Sequence, residues 1–213
     1  MATTSLPSEF KALTYTLPST SPHLTHSPLV PPAANELLIK VKAAAINPVD
    51  IQLWGNPVIG WLAGAKEKGI GRDYSGTVVS VGSGVKGWEE GDEVFGLLNR
   101  PTGEGTFSEY IKVLASDPIA RKPETWSYQT AAAVPLVALT AFSCLDWLPA
   151  ETAGVKRRVV VAGASGGVGT WSVQCMGLFL FLFLFLFFCW FTASRRGDKA
   201  DGEQWRRNST TAT

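Results

Sequence analysis

The 213-residue chain lacks an excess of charge of either sign: 19 Lys and Arg stand against 18 Asp and Glu, a net charge of +1. No broad basic field is therefore available for nucleic acid. Cysteine is scarce as well. Cys144, Cys175 and Cys189 are odd in number and show no paired spacing, which excludes a disulfide scaffold and a cysteine-rich zinc site. The N-terminus, MATTSLPSEFKAL, has no basic stretch leading into an apolar one and is not Arg-rich, so it lacks the pattern of a secretory signal. What is present is 46% hydrophobic residues, 17% charged residues, 21 Gly and 13 Pro. That composition is globular, long enough to bury a sizeable core, and excludes disorder, collagen and coiled coil as descriptions of the whole.

The first 122 residues read as short β-like runs divided by glycine and polar turns. A first strand is expected over 10–16 (FKALTYT). Between positions 17 and 35, Pro18, Pro22, Pro28, Pro31 and Pro32 stand among Ser and Thr, the composition of a surface loop. In Glu36–Ala45, Leu37, Ile39 and Val41 alternate against Leu38, Lys40 and Lys42, the period of a half-buried strand. Further strands are expected over 75–81, 92–98 and 105–113, with Gly82-Ser83-Gly84 and Glu90-Gly91-Asp92 as turns. Runs this short, without a long helical pattern, predict a compact β-barrel or sandwich-like domain.

After Pro123 the pattern changes. Ser127 is placed to cap a helix that Pro135 ends, and a second helix starts at that proline. Next, residues 159–174 read VVVAGASGGVGTWSVQ. A β-branched run suits a strand buried on both faces of a parallel sheet, and it leads directly into Gly163, Gly166, Gly167 and Gly169 at a helix start. Such a turn lets backbone N–H groups approach a pyrophosphate at the positive end of a helix. The strict G-x-G-x-x-G form is absent, since Ala164 holds its second glycine position. By itself the turn also suits a structural βα connection in some other α/β protein.

Six blocks occur in one order: AAAINPVDI at 43–51, GRDYSGTVVSVGSGV at 71–85, GDEVFG at 91–96, GTFSEYIKV at 105–113, AAAVPLVALTAF at 131–142 and GASGGVG at 163–169. That series, over roughly residues 8–174, resembles the medium-chain dehydrogenase/reductase superfamily, most of all its zinc-independent, quinone oxidoreductase-like branch with the enoyl reductases. The resemblance implies an α/β fold: a GroES-like β-barrel domain followed by an incomplete Rossmann-type parallel α/β segment. It also implies NADPH-dependent hydride transfer to a quinone or a conjugated enone or enoyl carbonyl. Where zinc-dependent members carry a Cys and a His ligand, this chain has Asn47 and Arg72, neither of which replaces a thiolate or an imidazole on zinc. No metal is therefore expected. His23 and His26 in the Pro-rich stretch lack the further ligands that a zinc site needs.

By the same resemblance, Asn47 stands beside the nicotinamide, as the cofactor-binding and candidate catalytic residue. Thr140 contacts the nicotinamide or ribose, and Ser165, Gly166, Gly167 and Val168 cradle the pyrophosphate. Some enoyl reductases use a Tyr shortly after the Asn; none occurs between Asn47 and Leu62. Asp50 and Tyr74 are the nearest alternatives as proton donor, the first reading as a brace for its turn and the second as core. The partners implied are a small-molecule quinone or enone and a second copy of a full-length form.

The resemblance stops at Gln174. No Asp or Glu occurs between Glu151 and Asp198, so the acidic residue that reads the ribose about 20 positions after the glycines is missing. Residues 178–191 read LFLFLFLFLFFCWF, seven of the eleven Phe in fourteen positions, a low-complexity tract. Three readings stand. Translation of a pyrimidine-rich unspliced intron would produce such a repeat. A membrane span over 175–193 would be about 28 Å long and insert with roughly 5 kcal/mol to spare. A second buried strand, with Ser194-Arg195-Arg196 on the 2′-phosphate of NADPH, would exceed the usual strand length of about 10 residues. The expected organisation is a GroES-like domain over 1–125, linker helices and the start of a dinucleotide fold over 126–174, the apolar tract over 175–193 and a disordered polar tail over 194–213. A chain with one strand and one helix of a Rossmann core is expected to bind NADPH weakly or not at all; the expected location is the cytoplasm. The alternative is a non-catalytic β domain tethered to a membrane through 175–193 or bound to a partner.

Overall fold

The computed structural model describes residues 6–64, 66–100, 103–148 and 159–176. The chain divides into two units, residues 1–140 and 141–213.

In the first unit, strand β1 (Glu9–Tyr15) pairs antiparallel with β2 (His23–Pro28), Glu9 opposite Pro28 and Thr14 opposite His23. The stretch 17–35, expected to be a loop, thus contains a strand. Its alternation is hidden because β2 lies at a sheet edge with most of its residues exposed. Pro22 precedes β2 and Pro28 ends it, positions where an edge strand tolerates a missing N–H donor. Strand β3 (Glu36–Ala45) has the expected bounds. Two short helices follow, α1 (Pro48–Trp54) and α2 (Pro57–Ala63), neither visible as a period because each spans only two turns. Strand β4 (Lys68–Gly69) then completes a three-stranded sheet in the order β2-β1-β4.

The larger sheet adds β5 (Asp73–Val81), β6 (Glu93–Leu97), β7 (Tyr110–Leu114) and β8 (Ile119–Arg121) in the order β7-β3-β5-β6-β8, every pairing antiparallel. Leu37, Ile39, Tyr74, Val78, Val94, Leu98, Ile111 and Val113 form its buried core. Each such aliphatic side chain contributes about 1.5–3 kcal/mol by leaving water. Leu38, expected on the polar face of β3, is buried too. The ladder between β3 and β5 shifts register between Leu38 and Ile39, and Leu38 lies beside Phe10, Leu29, Val30 and Tyr110, so both faces of β3 are covered here. The expected strand over 105–113 is split. Its second half is β7, while its first half stitches the two sheets: Phe107 C=O accepts from Leu13 N–H at 2.8 Å, and Glu109 N–H donates to Lys11 C=O at 3.0 Å.

Helix α3 (Tyr128–Ala132) is capped as expected, the Ser127 hydroxyl accepting from Thr130 N–H at 3.1 Å. It rests on the large sheet through Tyr128, whose phenol donates to Glu93 at 2.6 Å and whose carbonyl accepts from the Ser75 hydroxyl at 2.6 Å. Helix α4 (Pro135–Asp146) starts at its proline. Among the described residues, the stretch Tyr128–Asp146 is long and apolar enough, by length and composition, to cross a membrane; core helices of soluble proteins meet the same criteria. The expected span over 175–193 lies, past Met176, outside the described residues.

In the second unit, Gly163 turns the chain at φ +70° and α5 (Gly167–Cys175) begins four residues later. The run before the turn does not form the expected strand: residues 159–161 have no ladder, and Val160 is 95% exposed. A parallel strand exists only against a neighbouring strand, and the described residues of this unit hold none.

Candidate functional site

The carboxylate of Asp73, the first residue of β5, lies at the centre of the polar cluster in the first unit. It is fully buried. One oxygen accepts from the Asn47 side-chain amide at 2.9 Å, and the other accepts from Leu136 N–H, in the first turn of α4, at 2.9 Å. Burial pushes this carboxyl up to about 6; the two hydrogen bonds pull it back in part, and the nearby charge of Asp50 raises it further.

Asn47 is the N-cap of α1, with extended backbone ahead of Pro48 at the first helical position. Its own N–H donates to the Asp50 carboxylate at 2.8 Å. Asp50 therefore braces the turn that places Asn47, as the Asn-Pro-x-Asp spacing suggests. The second Asp50 oxygen is buried without a partner, as are Nε and Nη1 of Arg72. Burial raises the Asp50 carboxyl and lowers the Arg72 guanidinium, while each charge favours the other. Tyr15 is also raised by burial, which the charge of the same guanidinium partly offsets. Lys68 is buried nearby, its ammonium donating to the carbonyls of Thr16, Gly64 and Lys66 and lying 5.5 Å from the Tyr15 ring centre.

Thr140, exposed on α4, donates its hydroxyl proton back to Leu136 C=O at 2.7 Å. Asn47, Asp73, Leu136 and Thr140 thus form one hydrogen-bonded chain. Composition and period did not reveal its central residue: Asp73 stands in GRDYSG, and its partners lie 26 and 63 residues away. Of the two proton-donor candidates, Tyr74 is core, wholly buried with its phenol raised by burial. Beside α1, a cleft of about 210 Å³ is lined by Leu13, Ile46, Asp50, Ile51, Trp54, Ile70 and Phe107.

Ser165, Gly166, Gly167 and Val168 form the turn and first residues of α5 in the second unit, the first three exposed. Gly166 is the N-cap, and its N–H closes the turn onto Gly163 C=O at 2.9 Å. A Cβ on Gly169 would stand 2.2 Å from the Gly163 carbonyl oxygen. The helix therefore approaches the turn as closely as a dinucleotide motif requires of its last glycine. The first N–H groups of α5 have no acceptor within the helix, and they fit a pyrophosphate.

His23 and His26 are three residues apart on β2 and so point to opposite faces. His23 meets Glu67 at 3.2 Å and His26 meets Glu9 at 4.0 Å, both at the surface. Among the described residues no three His, Cys, Asp or Glu side chains gather as a metal site would need.

Residues 33–124 match the alcohol dehydrogenase GroES-like domain. A mitochondrial NAD(P)H oxidoreductase of Homo sapiens is 35% identical over 160 residues, covering 67% of this chain and 39% of the relative. The 2-methylene-furan-3-one reductase of Solanum lycopersicum is 38% identical over 184 residues, covering 80% of this chain and 45% of the relative. Among solved structures, the quinone oxidoreductase from Coxiella burnetii has a TM-score of 0.67 at 31% identity, with 80% of this chain and 54% of that one covered. The CurK enoyl reductase reaches 0.67 at 27% identity, with 79% and 51% covered. The chain spans about two fifths of the length of the curated relatives it matches.

Proposed function

The chain belongs to the medium-chain dehydrogenase/reductase superfamily, on its quinone oxidoreductase and enoyl reductase-like branch, and from that premise we propose that it serves NADPH-dependent reduction of a quinone or a conjugated enone or enoyl carbonyl, without zinc. The observation that carries this reading is Asn47, capping α1 with its amide held by Asp73, at the position where zinc-using members need a thiolate. In this reading Asn47 and Thr140 hold the nicotinamide end, and Ser165, Gly166, Gly167 and Val168 hold the pyrophosphate. The nicotinamide, when bound, supplies a hydride. Exposed Ile46 and Ile51 on either side of the Asn47 turn offer an apolar acceptor a surface. Tyr74 is sealed in the core and so is not placed to supply the proton that completes the reduction. Relatives named as NAD(P)H oxidoreductases do not divide NADPH from NADH; Ala164 in the glycine turn, similar to the form in NADPH-using members, is the ground for preferring NADPH.

Residues 1–125 serve as the GroES-like domain and 126–174 as the linker helices and first βα element. The 213 residues by themselves bind NADPH only weakly, since α5 has no sheet to pack on among the described residues. The test is a titration of isotope-labelled protein with NADPH and NADH, followed by amide shifts. Saturable shifts at millimolar NADPH, at Asn47 and at 165–170, are expected, unaltered by a zinc chelator. Loss of those shifts on chelation would overturn the zinc-free reading, and micromolar affinity would overturn the weak or absent binding, with which no shift up to millimolar NADPH would agree. The proposed place is the cytoplasm, although the relatives include proteins named mitochondrial and chloroplastic. Recovery of the natural protein in the membrane fraction would favour the tethered alternative, and sedimentation tests the homodimer proposed for a full-length form.

A further inference from the structure

The cleft of about 210 Å³ beside α1 is walled on one side by three stretches of chain that are distant in sequence. Leu13 N–H donates to Phe107 C=O at 2.8 Å, Phe107 N–H to Ile70 C=O at 2.9 Å, and Ile70 N–H to Leu13 C=O at 3.4 Å. The three donors of this wall are thus spent on one another. Ile46, Ile51 and Trp54 line the cleft as well, and Trp54 commits its indole N–H to Thr20 C=O at 2.9 Å. Asp50 belongs to the lining, but one of its oxygens takes the Asn47 N–H at 2.8 Å and the other is buried out of reach of solvent. The surface that the cleft exposes is therefore apolar. Ile46 and Ile51 are 77% and 62% exposed, so it is open to solvent where the chain enters and leaves the Asn47 turn.

We propose that this cleft seats a flat, uncharged ring bearing carbonyl groups, held by apolar contact and stacking without a hydrogen bond, and that it sorts that ring from the hydroxyl form that reduction produces. An apolar cavity of about 150 Å³ holds a benzene ring, so the volume here suits one substituted ring or two fused ones. With no Lys, Arg or His in its lining, the cleft offers nothing to the phosphates of an acyl-coenzyme A. Reduction adds a hydride and a proton, and turns two carbonyl acceptors into two hydroxyl donors. A hydroxyl that leaves water for a surface without acceptors forfeits a donated bond as well as accepted ones, whereas a carbonyl has only accepted bonds to lose. The oxidised ring is therefore held and the reduced ring released. That the ring is the hydride acceptor rests on the function proposed above; that the cleft binds an uncharged ring and sorts its two forms does not.

The test uses the full 213-residue chain, labelled with ¹⁵N and titrated without nucleotide or metal. The probe is tetramethyl-1,4-benzoquinone, whose fully substituted ring resists addition by the exposed Cys144 and Cys175. Saturable shifts are expected at the amides of Ile46, Ile51 and Phe107 and at the Trp54 indole N–H. The corresponding hydroquinone, kept under argon, should bind at least about tenfold more weakly. Crotonyl-coenzyme A should leave the same signals unmoved. Ile51→Asp, at an exposed helical position, should remove the quinone shifts while the signals of β3 and β5 stay in place, and Ile51→Leu should keep them. Quinone and hydroquinone bound alike would overturn the sorting. Shifts absent from the cleft, shifts there with crotonyl-coenzyme A, or quinone shifts indifferent to Ile51→Asp would overturn the site. None of these failures touches the NADPH titration, and loss of the NADPH shifts on chelation would in turn leave the ring site standing.

Discussion

Leu37-Leu38-Ile39 in β3 and Val159-Val160 ahead of the glycine turn are alike in chemistry and opposite in fate. The three residues of β3 are at most 2% exposed, whereas the two valines are 38% and 95% exposed. The difference lies in neighbours. β3 has β5 on one side and β7 on the other, so every apolar side chain it carries has a surface to leave water against. The valines have the β propensity and no ladder among the described residues. An apolar run states a capacity for burial, and a sheet must be present to realise it.

The sharpest way to break this contrast is truncation on each side of it. Ile39→Ala should destabilise the β unit by about 2–5 kcal/mol, read as a drop in denaturation midpoint. Val160→Ala should change it by less than about 0.5 kcal/mol. Equal effects would mean that residues 159–161 are packed after all.

The second test uses the acid that the β unit buries. The Asp73 carboxyl is raised from 3.8 to about 6, so the folded state holds its proton more tightly than the unfolded state does. Its contribution is therefore full below pH 4 and is lost as the pH rises through 6, amounting to roughly 3 kcal/mol. Urea denaturation from pH 3.5 to 7.5 should show this fall superposed on the other groups. Asp73→Asn should flatten it, while an unchanged slope would place the buried charge elsewhere.

Gly169→Ala probes a closely packed contact among the described residues of the second unit. The added methyl would stand 2.2 Å from the Gly163 carbonyl oxygen, so the turn must open at a cost of about 1–3 kcal/mol. Shift changes confined to 163–175 are expected, with the β unit untouched. Ser127→Ala removes the cap of α3 and should cost the β unit about 1 kcal/mol. A loss far above that would show that Ser127 does more than accept from Thr130.

Much of this fold could be read from the chain in order. The bounds of β3, the glycine turns around β5 and β6, Ser127 as a cap, Pro135 as a helix start and the glycine turn ahead of α5 all stand where expected. Strand β2 could not be read, because an edge strand with both faces largely in solvent carries no burial period. The helices α1 and α2 were missed for want of length, although Asn47, Pro48 and Asp50 carry the start signal. Asn47 and Thr140 as site residues came through resemblance alone. Their linkage through Asp73 could not, since that carboxylate faces partners drawn from two other stretches of chain.

What the sequence determined by itself is whatever depends on a few consecutive residues: the strand and turn alternation, the caps, the chain reversal at Gly163, and the thiolate and imidazole that are not at positions 47 and 72. Local sterics and the period of burial are written in short windows. Tertiary structure alone decided that Asp73, and not Asp50, would be the carboxylate joining Asn47 to the start of α4. A buried acid is tolerated only where the fold brings donors to it. Those donors come from 26 and 63 residues away, a distance over which no local pattern reports.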